Sequence, residues 1–454
     1  MGIELTRRQV LRNAFAVGGG IALAGSFSAC GAVGSSSSKV TSLRTIGEAL
    51  PPLENLAELS KQFTAETGIS LTIEPYVYDT ALSKTVFDFT SNQAQYDFVM
   101  GIYQELGKYA GNNMIMPIDD MLNGEKYAVN LDDFSQAVLD AGCRYDGKTY
   151  GLPATAQTMY LWYRKDLFGD KDEQKAFADK YGYELPIPSS QNIITFEQFR
   201  DLAEFFTRKK GDRLAGENLS SDFYGTCIQG KRHVAIVYEF LNYIGAWGGA
   251  ILGDDGSVTI NSPEVVDALD FYVGLKQFSP PGTGEYTFDD ALVAMQQGNI
   301  ALCIMWFDAA PALEDASKSK VAGKVGYAPN PKKVNLVHTF GGWNWYVNAD
   351  SKKHEETLQF MRWTNQEDVA LEWMKVGGLP SRLDVLQSDA FNEIVWNGGR
   401  EVALQNIIGI PSNITWASEL MDAMALSLSS VVAGQKRSAE ALQELSAAIE
   451  KLSE

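Results

Sequence analysis

Several short loops of this sequence place aromatic side chains beside carboxylates and amides. Trp306 and Asp308 follow the apolar run 301–305, and Tyr103 and Gln104 follow the apolar run 98–100. Tryptophan and tyrosine rings pack against the C–H-rich face of a sugar ring, while carboxylates and amides pair with its hydroxyl groups. Ligands of open α/β sheets bind at the carboxyl ends of strands, which is where such loops lie. The pattern predicts a cleft that binds a polyhydroxylated small molecule.

Further aromatic and polar residues extend this candidate site. Trp247 lies between glycines, which leave its ring face clear, and Arg382 joins Asp308 as a polar candidate. The alternative for every tryptophan is burial in a core, which is common for large aromatic residues. The predicted ligand-binding residues are Tyr103, Gln104, Trp247, Trp306, Asp308, Trp343, Asn344, Trp345, Arg382 and Trp416.

The sequence carries no motif of a common catalytic site. It has no GxSxG turn and no HExxH pair. Glu48 and Asp308 could in principle hydrolyse a glycoside as a pair of carboxyl groups, but pairs arise by chance in a chain with 57 acidic residues. Three scattered histidines and the lack of a CxxC spacing argue against zinc. We therefore predict a binding protein with no catalytic residue, no metal and no cofactor.

Cys30 ends a short apolar run that follows a basic segment. Arg7 and Arg8 precede the run, small residues lie directly before Cys30, and serines 35–38 follow it. This layout resembles a bacterial lipoprotein signal peptide over 1–30, with lipid attached at Cys30 and a flexible tether at 31–40. The Arg7-Arg8 pair fits twin-arginine export, and the general secretory route stays open.

An uncleaved membrane anchor is the alternative to a lipoprotein signal. The run 14–29 is interrupted by three glycines and is shorter than the roughly 20 residues that a spanning helix needs. We favour the lipoprotein signal. Both interpretations place the body of the protein outside the cytoplasm, in the periplasm or at the outer face of the cell membrane.

Length and composition indicate a soluble body with two lobes. A chain of 454 residues exceeds one compact core, and its 45% hydrophobic content allows large cores. The net charge of −19 repels nucleic acid and anionic lipid headgroups. Cys143, Cys227 and Cys303 leave one disulfide or buried free thiols as open alternatives.

Signals for helices and strands alternate along the body of the chain. Apolar spacing over 53–67 followed by Gly68 predicts a helix, while 69–73 and 98–100 predict strands. Thr195 with Gln198 has the spacing of a capping box, and further helices are predicted to begin after Ser262 and at Ser438. The alternation predicts an α/β fold with largely parallel sheets.

Five blocks of the sequence occur in the order found in one protein family. The most specific is 288–306, FDDALVAMQQGNIALCIMW, a predicted helix with Ala-Met, a glycine stop and a strand that ends in tryptophan. The others lie within 150–168, 261–272, 377–382 and 433–442. Together they resemble the family 1 extracellular solute-binding proteins of ABC importers, the group that includes maltose-binding protein.

The resemblance implies a two-lobed periplasmic-binding-protein fold of type II, with an α/β architecture and a ligand cleft between lobes joined by hinge crossings. Lobe one is expected to comprise 41–151 plus 288–328, and lobe two 152–287 plus 329–454. The resemblance also implies a monomer that captures a sugar, oligosaccharide or polyol by lobe closure and delivers it to the permease subunits of an ABC importer. The alternatives are an amino acid, polyamine or peptide ligand, or a carbohydrate-active enzyme.

Overall fold

Helices and strands alternate along the chain, as the apolar spacing predicts. The computed structural model describes residues 41–124 and 126–454. The predicted export signal with Arg7, Arg8 and Cys30 lies outside the described residues. In the described part of the chain, no helix combines the length and apolar character that crossing a membrane requires.

A five-stranded sheet joins the first strands of the chain to a much later one. Its order is Ser70–Tyr76, Ser42–Glu48, Phe98–Ile102, Trp343–Val347 and Gly151–Thr155. The first three strands are parallel, and Trp343–Val347 runs antiparallel to both of its neighbours. The last three strands of this order are buried along their whole length, which explains their continuous apolar runs.

A three-stranded sheet lies in the second part of the fold. Met159–Arg164 is its central strand and pairs antiparallel with Leu302–Trp306 and Val325–Ala328. Three shorter pairs complete the described strands: His338–Thr339 with Ile407–Ile408, Arg144–Tyr145 with Lys148–Thr149, and Arg213–Leu214 with Glu217–Asn218.

The strand pairings differ from two expectations. The sheets are not largely parallel, because Trp343–Val347 and both outer strands of the three-stranded sheet run antiparallel to their neighbours. Strands 302–306 and 325–328, expected in lobe one, pair with 159–164, which was expected in lobe two. Strand 343–347, expected in lobe two, pairs with strands expected in lobe one. Strand direction and sheet membership depend on where the chain re-enters a sheet after a crossing, and local spacing does not encode that.

Helices cover both sheets. The longer ones are Pro51–Thr67, Tyr78–Ser91, Lys171–Tyr181, Phe196–Phe206, Val234–Ala246, Pro263–Gly274, Phe288–Gln296, His354–Thr364, Glu367–Lys375, Ala417–Val432 and Ser438–Ser453. Shorter ones are Leu106–Gly111, Asp119–Leu122, Gln136–Gly142, Lys165–Phe168, Ala310–Glu314, Leu383–Leu386, Asp389–Asn392 and Arg400–Gln405.

Local stop and start signals behave as predicted. Gly68 ends the first helix in the left-handed region at φ +73°, which a residue without a Cβ adopts readily. The Thr195 side chain accepts the Gln198 backbone N–H, and the Gln198 side chain accepts the Thr195 N–H, so the capping box is confirmed. Pro263 begins the helix predicted after Ser262.

The three cysteines of the described residues are buried thiols. Cys143, Cys227 and Cys303 are each unbridged in the structure. Burial raises the pKa of the Cys143 thiol, whose Sγ donates to Asn344 Oδ1 at 3.3 Å. Of the two open alternatives, the structure shows free thiols.

Candidate ligand-binding cleft

A cavity of about 520 Å³ opens at the carboxyl ends of strands from both sheets. Glu48 and Ile102 are the last residues of two strands of the five-stranded sheet, and Trp306 is the last residue of a strand of the three-stranded sheet. All three line the cavity, which we call the cleft. Its volume suits a small molecule, and its position agrees with the rule that selected the candidate loops.

Several helices begin at the wall of the cleft. Pro51, Tyr78, Val234 and Phe288 are the first residues of their helices, and each lines the cleft. The first N–H groups of a helix have no partner within the helix, and its N-terminus carries partial positive charge. The helices that begin at Tyr78, Val234 and Phe288 therefore place backbone N–H donors near the cleft, whereas Pro51 has no N–H to donate.

Five aromatic rings form much of the wall. Trp306 packs edge-to-face against Tyr238 at 5.3 Å and against Phe288 at 6.2 Å between ring centroids. Trp343 packs in the same manner against Tyr78 at 6.1 Å. Since Trp306 and Trp343 are 8% and 5% exposed, each presents only a small part of its ring to the cleft.

Gln104 lies behind this wall and holds two of its rings. Its Nε2 donates to the Tyr78 hydroxyl at 3.1 Å and to the Tyr238 hydroxyl at 2.8 Å. Gln104 is 1% exposed and does not line the cleft. Its place in the structure is that of a positioning residue for the aromatic wall.

Four carboxyl groups face the same space. Glu48 and Asp308 are half-buried, while Asp79 and Asp289 lie at the exposed rim. Burial raises the pKa of Glu48 to about 8, and the negative charges of Asp308, Asp79 and Asp289 add to the shift. Burial also raises the pKa of Asp308 to about 6, opposed by hydrogen bonds from the backbone N–H groups of Asp308 and Ala309.

Amide and imidazole groups complete the polar lining. Gln157 Nε2 donates to Asp308 Oδ2 at 3.3 Å. His233 caps the helix Val234–Ala246, with its Nδ1 accepting the Ala235 N–H at 3.2 Å, and burial lowers its pKa. No lysine or arginine is among the described residues that line the cleft. The wall is therefore aromatic and acidic, without a permanent cation.

The structure brings three of the ten predicted ligand-binding residues to the cleft: Trp306, Asp308 and Trp343. Trp247, which was expected to face open space, instead packs at 4.9 Å against Phe196 and at 4.9 Å against Phe271. Trp345 is fully buried between Phe98 and Phe360. The two differ in position along the strand, because Trp343 is its first residue and Trp345 lies within the sheet.

The remaining predicted polar residues are engaged elsewhere. Asn344 is fully buried, and its Nδ2 donates to the Tyr346 hydroxyl at 3.1 Å. Tyr103 is 1% exposed, and its hydroxyl accepts the Ile410 N–H at 2.8 Å. Arg382 pairs with Asp133 at 3.2 Å, and Trp416 is half-buried beside the helix Ala417–Val432. These four, like Trp247, Trp345 and Gln104, do not line the cleft.

Sequence reasoning left out several residues of the wall. The predicted ligand-binding residues do not include Glu48, which appears only as half of a possible catalytic pair, or Tyr78. Both lie at the carboxyl end of a predicted or observed strand, so the rule that selected Trp306 applies to them equally. Tyr238 lies on a helix whose residues 235–246 are all buried, and no local signal distinguishes it.

The family model for bacterial extracellular solute-binding proteins matches residues 58–395, about three quarters of the chain. This chain is a bacterial extracellular solute-binding protein. The family has a two-lobed α/β fold. The two sheets of this chain, with the cleft between them, agree with that fold.

Curated relatives of the solute-binding protein support the same assignment. A probable amino-acid ABC transporter periplasmic-binding protein of Sinorhizobium fredii is 24% identical over 357 residues, which cover 78% of this chain and 74% of the relative. The mannitol-binding protein of Pseudomonas aeruginosa is 27% identical over 291 residues, which cover 62% of this chain and 58% of the relative.

A solved structure extends the comparison over nearly the whole chain. An ABC transporter solute-binding protein of Agrobacterium radiobacter in complex with ribitol superimposes with a TM-score of 0.71 and is 26% identical. The match covers 91% of this chain and 98% of that structure. The similar proteins are thus solute-binding components of ABC transporters, and this solute-binding protein shares their fold.

Proposed function

We propose that this protein captures a carbohydrate or polyol in the cleft and delivers it to the permease subunits of an ABC importer. The observation that carries the proposal is the mixture of groups in one small-molecule-sized cavity. Trp306 and Trp343 offer ring surfaces for C–H groups, while Glu48, Asp308 and Gln157 offer hydrogen-bond partners for hydroxyls. The mannitol-binding relative and the ribitol complex support a ligand of this class.

An amino acid ligand is the rival, because a relative carries that description. The carboxylate of an amino acid would enter a cleft that already holds four carboxyl groups and would be repelled by those that are ionised. No lysine or arginine lines the cleft among the described residues, and burial lowers the pKa of His233, which disfavours its charged form. The charge of the wall therefore favours a sugar or polyol over an amino acid.

Capture is proposed to proceed by closure of two lobes, one built on each sheet. Glu48, Tyr78 and Trp343 reach the cleft from the five-stranded sheet and its helices, and Trp306 and Asp308 reach it from the three-stranded sheet. A ligand that touches both sides has a higher affinity for the closed form and shifts the equilibrium toward it. We infer that the closed monomer is the form that the permease recognises.

The test of the proposed function is a ligand screen by thermal shift. Sugars, polyols, amino acids and polyamines are added to the purified protein, and bound material is recovered and identified. A ligand at about 100 times its dissociation constant should stabilise the fold by about 2.7 kcal/mol. We expect sugars or polyols to bind one per chain and to be recovered unaltered. Binding of amino acids alone, or the appearance of hydrolysis products, would contradict the proposal.

Attachment to the membrane through Cys30 is a separate proposal, supported by the signal-like segment 1–30. Cys30→Ser should abolish labelling by radioactive palmitate and release the protein from the membrane fraction, whereas Ser36→Ala in the tether should change neither. Replacement of Arg7 and Arg8 by lysines should block export if the twin-arginine route is used. Unchanged palmitate labelling of Cys30→Ser would refute the anchor.

A further inference from the structure

The charge of the cleft is strongly one-sided for a site that is to hold a neutral sugar. Glu48, Asp79, Asp289 and Asp308 all face it, and no lysine or arginine among the described residues does. Within the described ranges, none of these four carboxyl groups takes part in an ion pair. The cleft therefore holds four carboxyl groups and no cationic side chain to balance them among its described lining residues.

Glu48 is the least satisfied of the four groups. It is half-buried at the end of its strand, and its carboxyl group has no hydrogen-bond partner among the described residues. Asp308, by contrast, accepts from Gln157 and from two backbone N–H groups. The charges that act on Glu48 are those of Asp308, Asp79 and Asp289, all negative. None of the described residues supplies a hydrogen bond or a positive charge to the Glu48 carboxyl group, so this group is available to a ligand.

The size of the space selects a molecule rather than an ion. The cavity has a volume of about 520 Å³, and the described residues contain no group of three or more acidic, histidine or cysteine side chains close enough to hold a metal ion. The carboxyl groups are thus spread around a volume that an organic ligand fills. Aromatic faces next to them favour cations, since the face of an aromatic ring attracts an ammonium group within about 6 Å.

We propose that the ligand of this cleft carries a protonated amino group on its polyhydroxylated frame, as an amino sugar or an aminocyclitol does. The inference rests on the proposed function and adds the charge of the ligand to it. The ammonium group lies between Glu48 and Asp308, and its three N–H groups donate to the two carboxylates. The hydroxyl groups of the ligand face Gln157 and the helix N-termini. A charge-assisted hydrogen bond is stronger than a neutral one, and the amine removes the unfavourable burial of Glu48.

Matched ligands test this charge directly. Binding to the full protein is measured by calorimetry with neutral and amino members of the same frame: glucose, N-acetylglucosamine and glucosamine, and sorbitol with 1-amino-1-deoxysorbitol. Spermidine serves as an amine without hydroxyls. We expect the amino member of at least one pair to bind at least tenfold more tightly than its neutral counterpart. Glu48→Gln, which keeps the shape but cannot ionise to pair with an ammonium group, should abolish most of that preference, while the exposed Glu450→Gln should leave it unchanged.

The outcomes separate this inference from the proposed function. Neutral sugars or polyols that bind as tightly as their amino counterparts would overturn the inference and leave the proposed function standing. Binding of spermidine alone, or of no member of the panel at millimolar concentration, would count against both. A preference for amines that survives in Glu48→Gln and in Asp308→Asn would also overturn the inference, because other residues would then bind the ammonium group. The melting temperature of each variant shows whether it is folded.

Discussion

At the residue scale, identical side chains have opposite roles within one strand. Trp343 stands at the start of its strand and lines the cleft, whereas Trp345, two residues on, is fully enclosed by Phe98 and Phe360. Trp306, from the other sheet, also lines the cleft. Residue type alone therefore does not show whether a tryptophan lines the cleft or packs in the core; its position in the folded protein determines this.

Truncation of a cleft tryptophan and of a core tryptophan should give different results. Trp306→Ala should weaken ligand binding by about 1–3 kcal/mol, the range of a lost stacking platform. Trp345→Ala, at a fully buried position, should lower the free energy of unfolding by about 3–5 kcal/mol and leave affinity nearly intact. Affinity by calorimetry and stability by urea unfolding are measured on both variants. A variant Trp306→Ala that keeps full affinity would show that this ring is only structural.

Glu48 should make stability depend on pH. Its folded-state pKa of about 8 lies above the ordinary value of 4.5, so the folded state retains the proton over a range in which the unfolded chain has lost it. The resulting stability is complete below about pH 4.5 and is lost as the pH rises through about 8.

Glu48→Gln cannot ionise and should remove this loss. The variant should match the parent protein near pH 4.5, and at pH 9 its free energy of unfolding should be higher by on the order of 1–3 kcal/mol. Urea unfolding across this range measures the difference, with the exposed Glu450→Gln as the matched control. A difference that does not grow with pH would contradict the raised pKa of Glu48 in the folded protein.

At the scale of secondary structure, strand ends and the loops that follow them build the site. A strand ending in Trp306 is followed directly by Asp308 and by the helix Ala310–Glu314. A second loop, with Gly341, closes over the Trp306 indole so tightly that a Cβ at Gly341 would lie 2.5 Å from its ring atoms. This approach of backbone to ring is possible only without a side chain.

Gly341→Ala should therefore displace the Trp306 ring. We expect at least a tenfold loss of ligand affinity, because the ring must move away from its place against Tyr238 and Phe288. Gly284→Ala is the matched control, since a Cβ there meets no atom within 4 Å. Calorimetry and the tryptophan fluorescence spectrum report on both variants. Equal affinity in Gly341→Ala and Gly284→Ala would mean that the loop at Gly341 moves to make room for the methyl group and does not fix the position of the Trp306 ring.

At the scale of the whole molecule, two sheets share one cleft. Glu48 and Trp343 approach it from the five-stranded sheet, and Trp306 and Asp308 from the three-stranded sheet. Binding that joins both sides should make the protein more compact, because the ligand stabilises the closed form by its difference in affinity.

Small-angle X-ray scattering tests this closure. The radius of gyration should fall when a saturating ligand from the screen is added, and the fall should be smaller in Trp306→Ala at equal occupancy. Addition of a sugar that does not bind serves as the control. A radius that is unchanged at saturation would contradict closure, although the ligand would still bind.

The sequence by itself determined the local events and the class of fold. The stop at Gly68, the capping box at Thr195 and the strand end at Trp306 depend on neighbouring residues, so their signals can be read along the chain. The ordered family blocks identified the fold, and the rule of carboxyl strand ends pointed to Trp306 and Asp308.

Only the tertiary structure decided strand order, strand direction and the makeup of the cleft. Glu48 and Asp308 line the same cleft because strands of both sheets end there, and Trp247 is half-buried because its ring packs against Phe196 and Phe271. Such contacts join segments that are separated along the chain, and their free energy depends on the packing of the whole protein. Local periodicity does not predict that packing. The acidic character of the cleft is therefore visible only in the folded structure.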